Sequence, residues 1–232
     1  FDSALSLFKP GSASRPDIVL LADVFTSILD PATVEKAADV LTSVGYTVEM
    51  SPFVPSGKFD HVKGRRTAFA KQAARQAELV HAITASGAIA VAIEPATALL
   101  HHEEYPAVVA DYPATQVRHL VDVLQSRAAR LRRSEQQTVT LLGHCTERAT
   151  RPGSTAAWRD VLEAIGYEVA TPSTGCCGMA GIFGHEADNR AMSEDIWNLF
   201  WASAIESPGT VAATGYSCRS QSQRMAGKEL RH

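Results

Sequence analysis

No apolar run in the chain approaches the ~20 residues that a membrane-spanning helix needs. The longest clean stretch, AIAVAI at Ala88–Ile93, has the length of a buried strand. Positive charge is not in excess: 22 Lys and Arg stand against 25 Asp and Glu, a formal net charge of -3. The one basic run, RAARLRR at Arg127–Arg133, reads as the solvated end of a helix, so the charge pattern argues against nucleic-acid binding. No charged-then-apolar leader opens the chain, so nothing points to export and a cytoplasmic protein is expected. The chain starts on Phe1 and ends on His232 without an obvious stop, and reads as a piece of a longer polypeptide. Cysteine is scarce, four in 232 residues, and vicinal cysteines rarely bridge, which argues against a disulfide framework.

What is present is an ordinary globular composition, 45% hydrophobic and 20% charged, with 15 Gly and 11 Pro. Hydrophobic runs and breakers predict a strand at Ile18–Asp23 and a helix near Pro31–Val44, with Asp30 before it and Gly45 after it. A strand at Tyr46–Met50, a long helix near Thr67–Ala85 and a strand at Ile89–Ile93 follow. The same order returns in strands at Val139–Leu142, Tyr167–Ala170 and Val211–Thr214, with helices near Thr155–Ile165 and Glu186–Ala204. An offset of 121 residues lays VGYTVEM (Val44–Met50) on IGYEVAT (Ile165–Thr171) and IVLLADV on VTLLGHC. Without a gap it also lays PSG (Pro55–Gly57) on CCG (Cys176–Gly178) and IEPAT (Ile93–Thr97) on TGYSC (Thr214–Cys218). The expected fold is α/β: two lobes related by a pseudo-twofold, each a small parallel sheet flanked by helices. Residues 1–116 form the first lobe, 117–134 a helical connection and 135–232 the second lobe. One continuous doubly wound sheet is the alternative.

In this register every cysteine falls at or just beyond the carboxyl end of a strand, where open α/β sheets gather ligands. Cys145 follows the first strand of the second lobe, Cys176 and Cys177 the second, and Cys218 the third. The thiols are separated by 30, 0 and 40 residues, so they meet only if the fold brings them together. Gly175, Gly178, Gly181 and Gly184 surround the pair and suit a loop whose backbone approaches a bulky group. The residues themselves leave several readings open: buried core cysteines in an interaction module, a redox thiol pair, a zinc site, or a [4Fe-4S] cluster on four thiolates. Helix starts near Thr155 and Glu186 are expected to lend amide donors. His144, His185 and Arg219 are candidates for groups that tune such a site. HHEE at His101–Glu104 reads as a solvated helix start, and Trp197 and Trp201 as core.

GHC (Gly143–Cys145), GCCGMAGIFGHE (Gly175–Glu186) and TGYSCRSQ (Thr214–Gln221) resemble the cysteine-rich CCG domain. That domain is shared by heterodisulfide-reductase-like subunits and the iron-sulfur parts of glycolate- and lactate-oxidising enzymes. More narrowly, LLGHCTERA, ATGYSCRSQ, the closing GKELRH, and DVFTS (Asp23–Ser27) and EEYP (Glu103–Pro106) in the first lobe are similar to the bacterial FAD-linked D-2-hydroxyglutarate dehydrogenases, relatives of D-lactate dehydrogenases. The resemblance implies an electron-transfer module beside FAD and ferredoxin-like domains of the same polypeptide. Cys145, Cys176, Cys177 and Cys218 would be its cluster ligands, and electrons would pass from flavin to an unidentified acceptor. Peripheral membrane attachment through that acceptor and a homo-oligomer are both compatible with it. Gln221 stands where the fuller pattern has a fifth cysteine, which favours a conventional four-iron cluster over a noncubane one. The first lobe has Val24, Pro55, Ser56 and Thr97 at the cysteine positions and is expected to serve as scaffold and docking surface without a metal.

Overall fold

In the computed structural model, residues 5–11, 13–132 and 137–232 are described. The chain divides into two compact units, Phe1–Leu131 and Arg132–His232. The first is built from β1 (Ile18–Leu20), α1 (Pro31–Ser43), β2 (Val48–Met50), α2 (Lys58–Val62), α3 (Arg66–Ala85), β3 (Ile89–Ala92), α4 (Pro95–Leu99), β4 (Val117–His119) and α5 (Leu120–Ser126). The second contains β5 (Thr138–Leu142), α6 (Cys145–Thr150), α7 (Ser154–Ala164), β6 (Glu168–Ala170), α8 (Arg190–Ala204), β7 (Thr210–Ala213) and α9 (Tyr216–Ala226). Both sheets are parallel, in the order β2-β1-β3-β4 and β6-β5-β7.

The 121-residue offset holds at the level of strand pairing. Ile18 lies opposite Val48 and Ile89, and Val139 lies opposite Val169 and Thr210. Periodicity explains the helices on these sheets: α1 buries Val34, Ala37, Ala38 and Leu41, and α3 buries Phe69, Ala73, Gln76, Val80 and Ile83. In the second unit the two faces of one sheet pack separately. Val139, Leu141 and Ala212 meet Trp158 and Leu162 of α7, while Leu142, Val211 and Ala213 pack with Trp197, Trp201 and Ile205.

Three expectations need correction. Over its described residues the stretch 117–134 is not one helical connection: Val117–His119 is a fourth strand, paired with β3, and only Leu120–Ser126 is α-helical. A three-residue strand directly before a helix leaves no period-2 signal to read. Arg127 is not simply solvated, because its guanidinium donates to the carbonyls of Val44 and Gly45 beyond α1 and lies over the Tyr46 ring at 3.7 Å. Arg133 is outside the described residues. HHEE is not a solvated helix start either: it continues α4 as a π-helical turn, and His101 is buried, its Nδ1 2.6 Å from the Tyr112 hydroxyl. Burial holds the His101 imidazole down to about 3, so the ring is neutral.

Candidate metal centre

Each arm of the cysteine site begins where a strand of the second sheet ends. Cys145 is the first residue of α6, three residues after the end of β5, and Cys218 is the third residue of α9, just beyond β7. Cys176 and Cys177 lie in the loop after β6. These arms bring the four sulfurs together. Cys145 lies within hydrogen-bonding reach of Cys176, Cys176 of Cys177 and Cys177 of Cys218, and Cys218 is also close enough to act on Cys145 electrostatically. All four are free thiols. Cys177 and Cys218 are buried in the core with Trp197 and Trp201, whereas Cys145 and Cys176 are half-buried. The group therefore has a core side and a solvent side.

The proton distribution within it is uneven. Hydrogen bonds from Cys145 and then Cys177, with the Gly178 N–H 3.4 Å from its sulfur, pull the Cys176 thiol far below the usual thiol range. Donation to Cys176 and burial push Cys145 up, and hydrogen bonds with Cys176 and Cys218 together with burial push Cys177 up. Cys176 is thus the thiol these surroundings favour as thiolate, and a bound metal must displace protons from Cys145 and Cys177. In metal-free protein alkylated with iodoacetamide at pH 6, Cys176 is expected to be modified first and Cys177 and Cys218 last. Equal labelling in peptide-resolved mass spectrometry would contradict this charge distribution.

The glycine-rich loop is shaped by α8. Gly178 has φ +89°, and a Cβ there would collide with the Ser193 carbonyl oxygen. Its counterpart Gly57 has φ +70° and backs onto Gln72, the residue 121 positions before Ser193. The carbonyl that precedes the pair is held by α8 as well: Trp201 Nε1 donates to Gly175 O at 3.1 Å. In the first unit Gln76 of α3 donates to the matching Val54 carbonyl at 2.8 Å. Gly175 and Gly178 thus make room for α8, whereas nothing lies within 4 Å of a Cβ on Gly181. The expected helix start at Glu186 also shifts, since two 3-10 turns precede α8. The helix starts that reach the cysteines are those of α6 and α9.

The three polar candidates separate. His144 is buried, its Nδ1 has no hydrogen-bond partner among the described residues, and burial holds its ring down to about 4 despite the nearby Cys176. Arg219 is buried and donates to the Ala213 carbonyl at 3.1 Å. His185 is exposed in a 3-10 turn, and among the described residues its ring bonds to none of the cysteines. Sequence reasoning missed Glu147, Ser193 and the role of Gln221. Gln221 is fully buried and its Nε2 donates to Ser193 Oγ at 2.9 Å, while Ser193 donates to the Gly178 carbonyl at 2.8 Å. The residue in the fifth-cysteine position therefore braces the cysteine loop. Its replacement of that cysteine was the legible signal.

Among the described residues, no group of three or more His, Cys, Asp or Glu side chains is already arranged to hold a single metal ion. The donor set nevertheless fits a thiophilic metal or cluster: four thiols on three arms, with a buried His144 Nδ1 next to Cys145 that has no hydrogen-bond partner among the described residues.

Among curated proteins, the chain is similar to D-2-hydroxyglutarate dehydrogenases. A D-2-hydroxyglutarate dehydrogenase of Pseudomonas putida is 36% identical over 233 residues, 99% of this chain. That of Escherichia coli is 33% identical over 225 residues, and that of Haemophilus influenzae 30% over 237. This chain is homologous to a segment of the D-2-hydroxyglutarate dehydrogenases. It spans 22 to 23% of the length of these dehydrogenases. No family model matches it. Among the described residues, no helix is long and apolar enough to cross a membrane.

Proposed function

We propose that the second unit holds a [4Fe-4S] cluster on Cys145, Cys176, Cys177 and Cys218. We propose further that it serves a larger FAD-dependent dehydrogenase acting on D-2-hydroxyglutarate or a related D-2-hydroxy acid. The observation that carries the reading is the meeting of all four thiols at the carboxyl ends of three parallel strands, half in the core and half toward solvent. Similarity to the dehydrogenases supports the oxidoreductase setting, and their greater length supports flavin and ferredoxin-like domains elsewhere in the polypeptide. A bound cluster supplies a one-electron centre, here between the flavin and a downstream acceptor.

The chain's own residues set the surroundings. Cys177 and Cys218 anchor from the core, and Cys145 and Cys176 close the solvent side. The Gly178 N–H donates toward the Cys176 sulfur, and such bonds together with burial tune the potential. The neutral His144 ring limits the positive charge beside Cys176. Gln221 in place of a fifth thiolate favours a four-ligand cluster. A zinc ion on the same thiolates is the second reading, favoured by sulfurs close enough to hydrogen-bond to one another.

Iron, zinc and acid-labile sulfide quantified in one anaerobic preparation separate the readings. The cluster predicts about four irons and four sulfides per chain. Zinc without sulfide supports the second reading, and a metal-free protein from that preparation overturns both.

A further inference from the structure

We infer that Glu147 is a positioning residue: through Thr214 it ties the Cys145 arm to the Cys218 arm, and so governs how firmly the cysteine site retains a metal. The inference rests on the metal-binding reading above. Glu147 is 3% exposed, although it lies in a six-residue helix whose later residues face solvent. Its Oε2 accepts the Thr214 hydroxyl at 2.6 Å, and its Oε1 accepts Trp158 Nε1 at 3.3 Å. Thr214, 4% exposed, accepts the His144 backbone N–H at 2.9 Å.

A hydroxyl has one proton to give. Because Thr214 gives it to Glu147, its lone pairs face the His144 amide, and the backbone entering Cys145 is fixed against the end of β7. The arms also touch directly: a Cβ on Gly215 would collide with the His144 ring, so residue 215 must be glycine for this approach. Thr214 and Gly215 lead into α9 and Cys218, so the link joins the outer members of the cysteine group.

The first unit shows the alternative wiring. There Asp23, at the His144 position, accepts the Thr26 hydroxyl at 2.8 Å and is within hydrogen-bonding reach of Thr97, which stands at the Cys218 position. A carboxylate–hydroxyl tie thus runs from the residue before one ligand position to the other ligand position itself. In the second unit the tie runs behind them, through 147 and 214, and leaves 145 and 218 to the thiols.

The experiment uses Thr214→Val, Thr214→Ser and Glu147→Gln in the intact protein. One readout is the alkylation rate of Cys145 in the metal-free state; the other is retention of Co2+ against a chelator, followed by its thiolate charge-transfer absorption. Thr214→Val removes the hydroxyl at constant shape and is expected to speed alkylation and weaken retention by about tenfold each, the scale of one buried hydrogen bond. Thr214→Ser keeps the hydroxyl and restores both. Glu147→Gln can satisfy Thr214 or Trp158 but not both, and gives a smaller change in the same direction. Parental values in both Thr214→Val and Glu147→Gln, or a Thr214→Ser protein as impaired as Thr214→Val, overturn the inference. If the parent retains no Co2+, the metal reading fails, and the Cys145 alkylation rates still decide the tether.

Discussion

Cys177→Ser is expected to lose stable metal from the second unit, with retention against a chelator reduced by more than the ~10–100-fold that a partner behind a ligand contributes. Cys177 is the middle of the sulfur group, 2% exposed and within hydrogen-bonding reach of both Cys176 and Cys218. A serine hydroxyl stays protonated at neutral pH, so the substitution removes a thiolate donor. Ser56→Ala, at the matching position of the first unit, is the control. Ser56 engages Tyr105 through its backbone carbonyl, which alanine keeps, so metal content should not change. Wild-type retention in Cys177→Ser would move the metal off these residues.

Gly178→Ala should produce a large loss of stability. An L-residue at φ +89° costs about 1–2 kcal/mol. The collision with the Ser193 carbonyl adds about 1–3 kcal/mol, because the oxygen belongs to α8 backbone and cannot rotate away. Gly181→Ala, three residues on, is the internal reference: its φ is +70°, but nothing lies within 4 Å of the added methyl, so only the conformational cost applies. Urea midpoints at unchanged m-value measure the difference. Equal midpoints for the two variants would mean that the cysteine loop does not rest on α8 as described.

Much of this was legible because the two units share one register. Comparing Ile18–Thr97 with Val139–Cys218 locates six of the seven strands to within a few residues and assigns every cysteine to a strand end. Among the described residues, β4 is matched in the second unit only by a single parallel bridge of Arg231 to Ala212, which lies off the 121-residue offset, so the repeat could not reveal it. The buried His101 was hidden for another reason: four polar letters in a row look solvated, and only the Tyr112 hydroxyl, eleven residues on, shows what satisfies the ring. Glu147 is the same case at longer range, with its hydroxyl partner 67 residues away.

By itself the sequence determined which thiols are available, four and no fifth, and the order of strands that brings them together. Hydrophobic period and turn residues act over a few positions, and a duplicated frame writes them twice. The tertiary structure alone decided which thiol is favoured to ionise, which glycines yield to α8 and which carboxylate meets the Thr214 hydroxyl. Those properties depend on burial and on donors brought within about 3 Å by the fold, and linear spacing does not encode either.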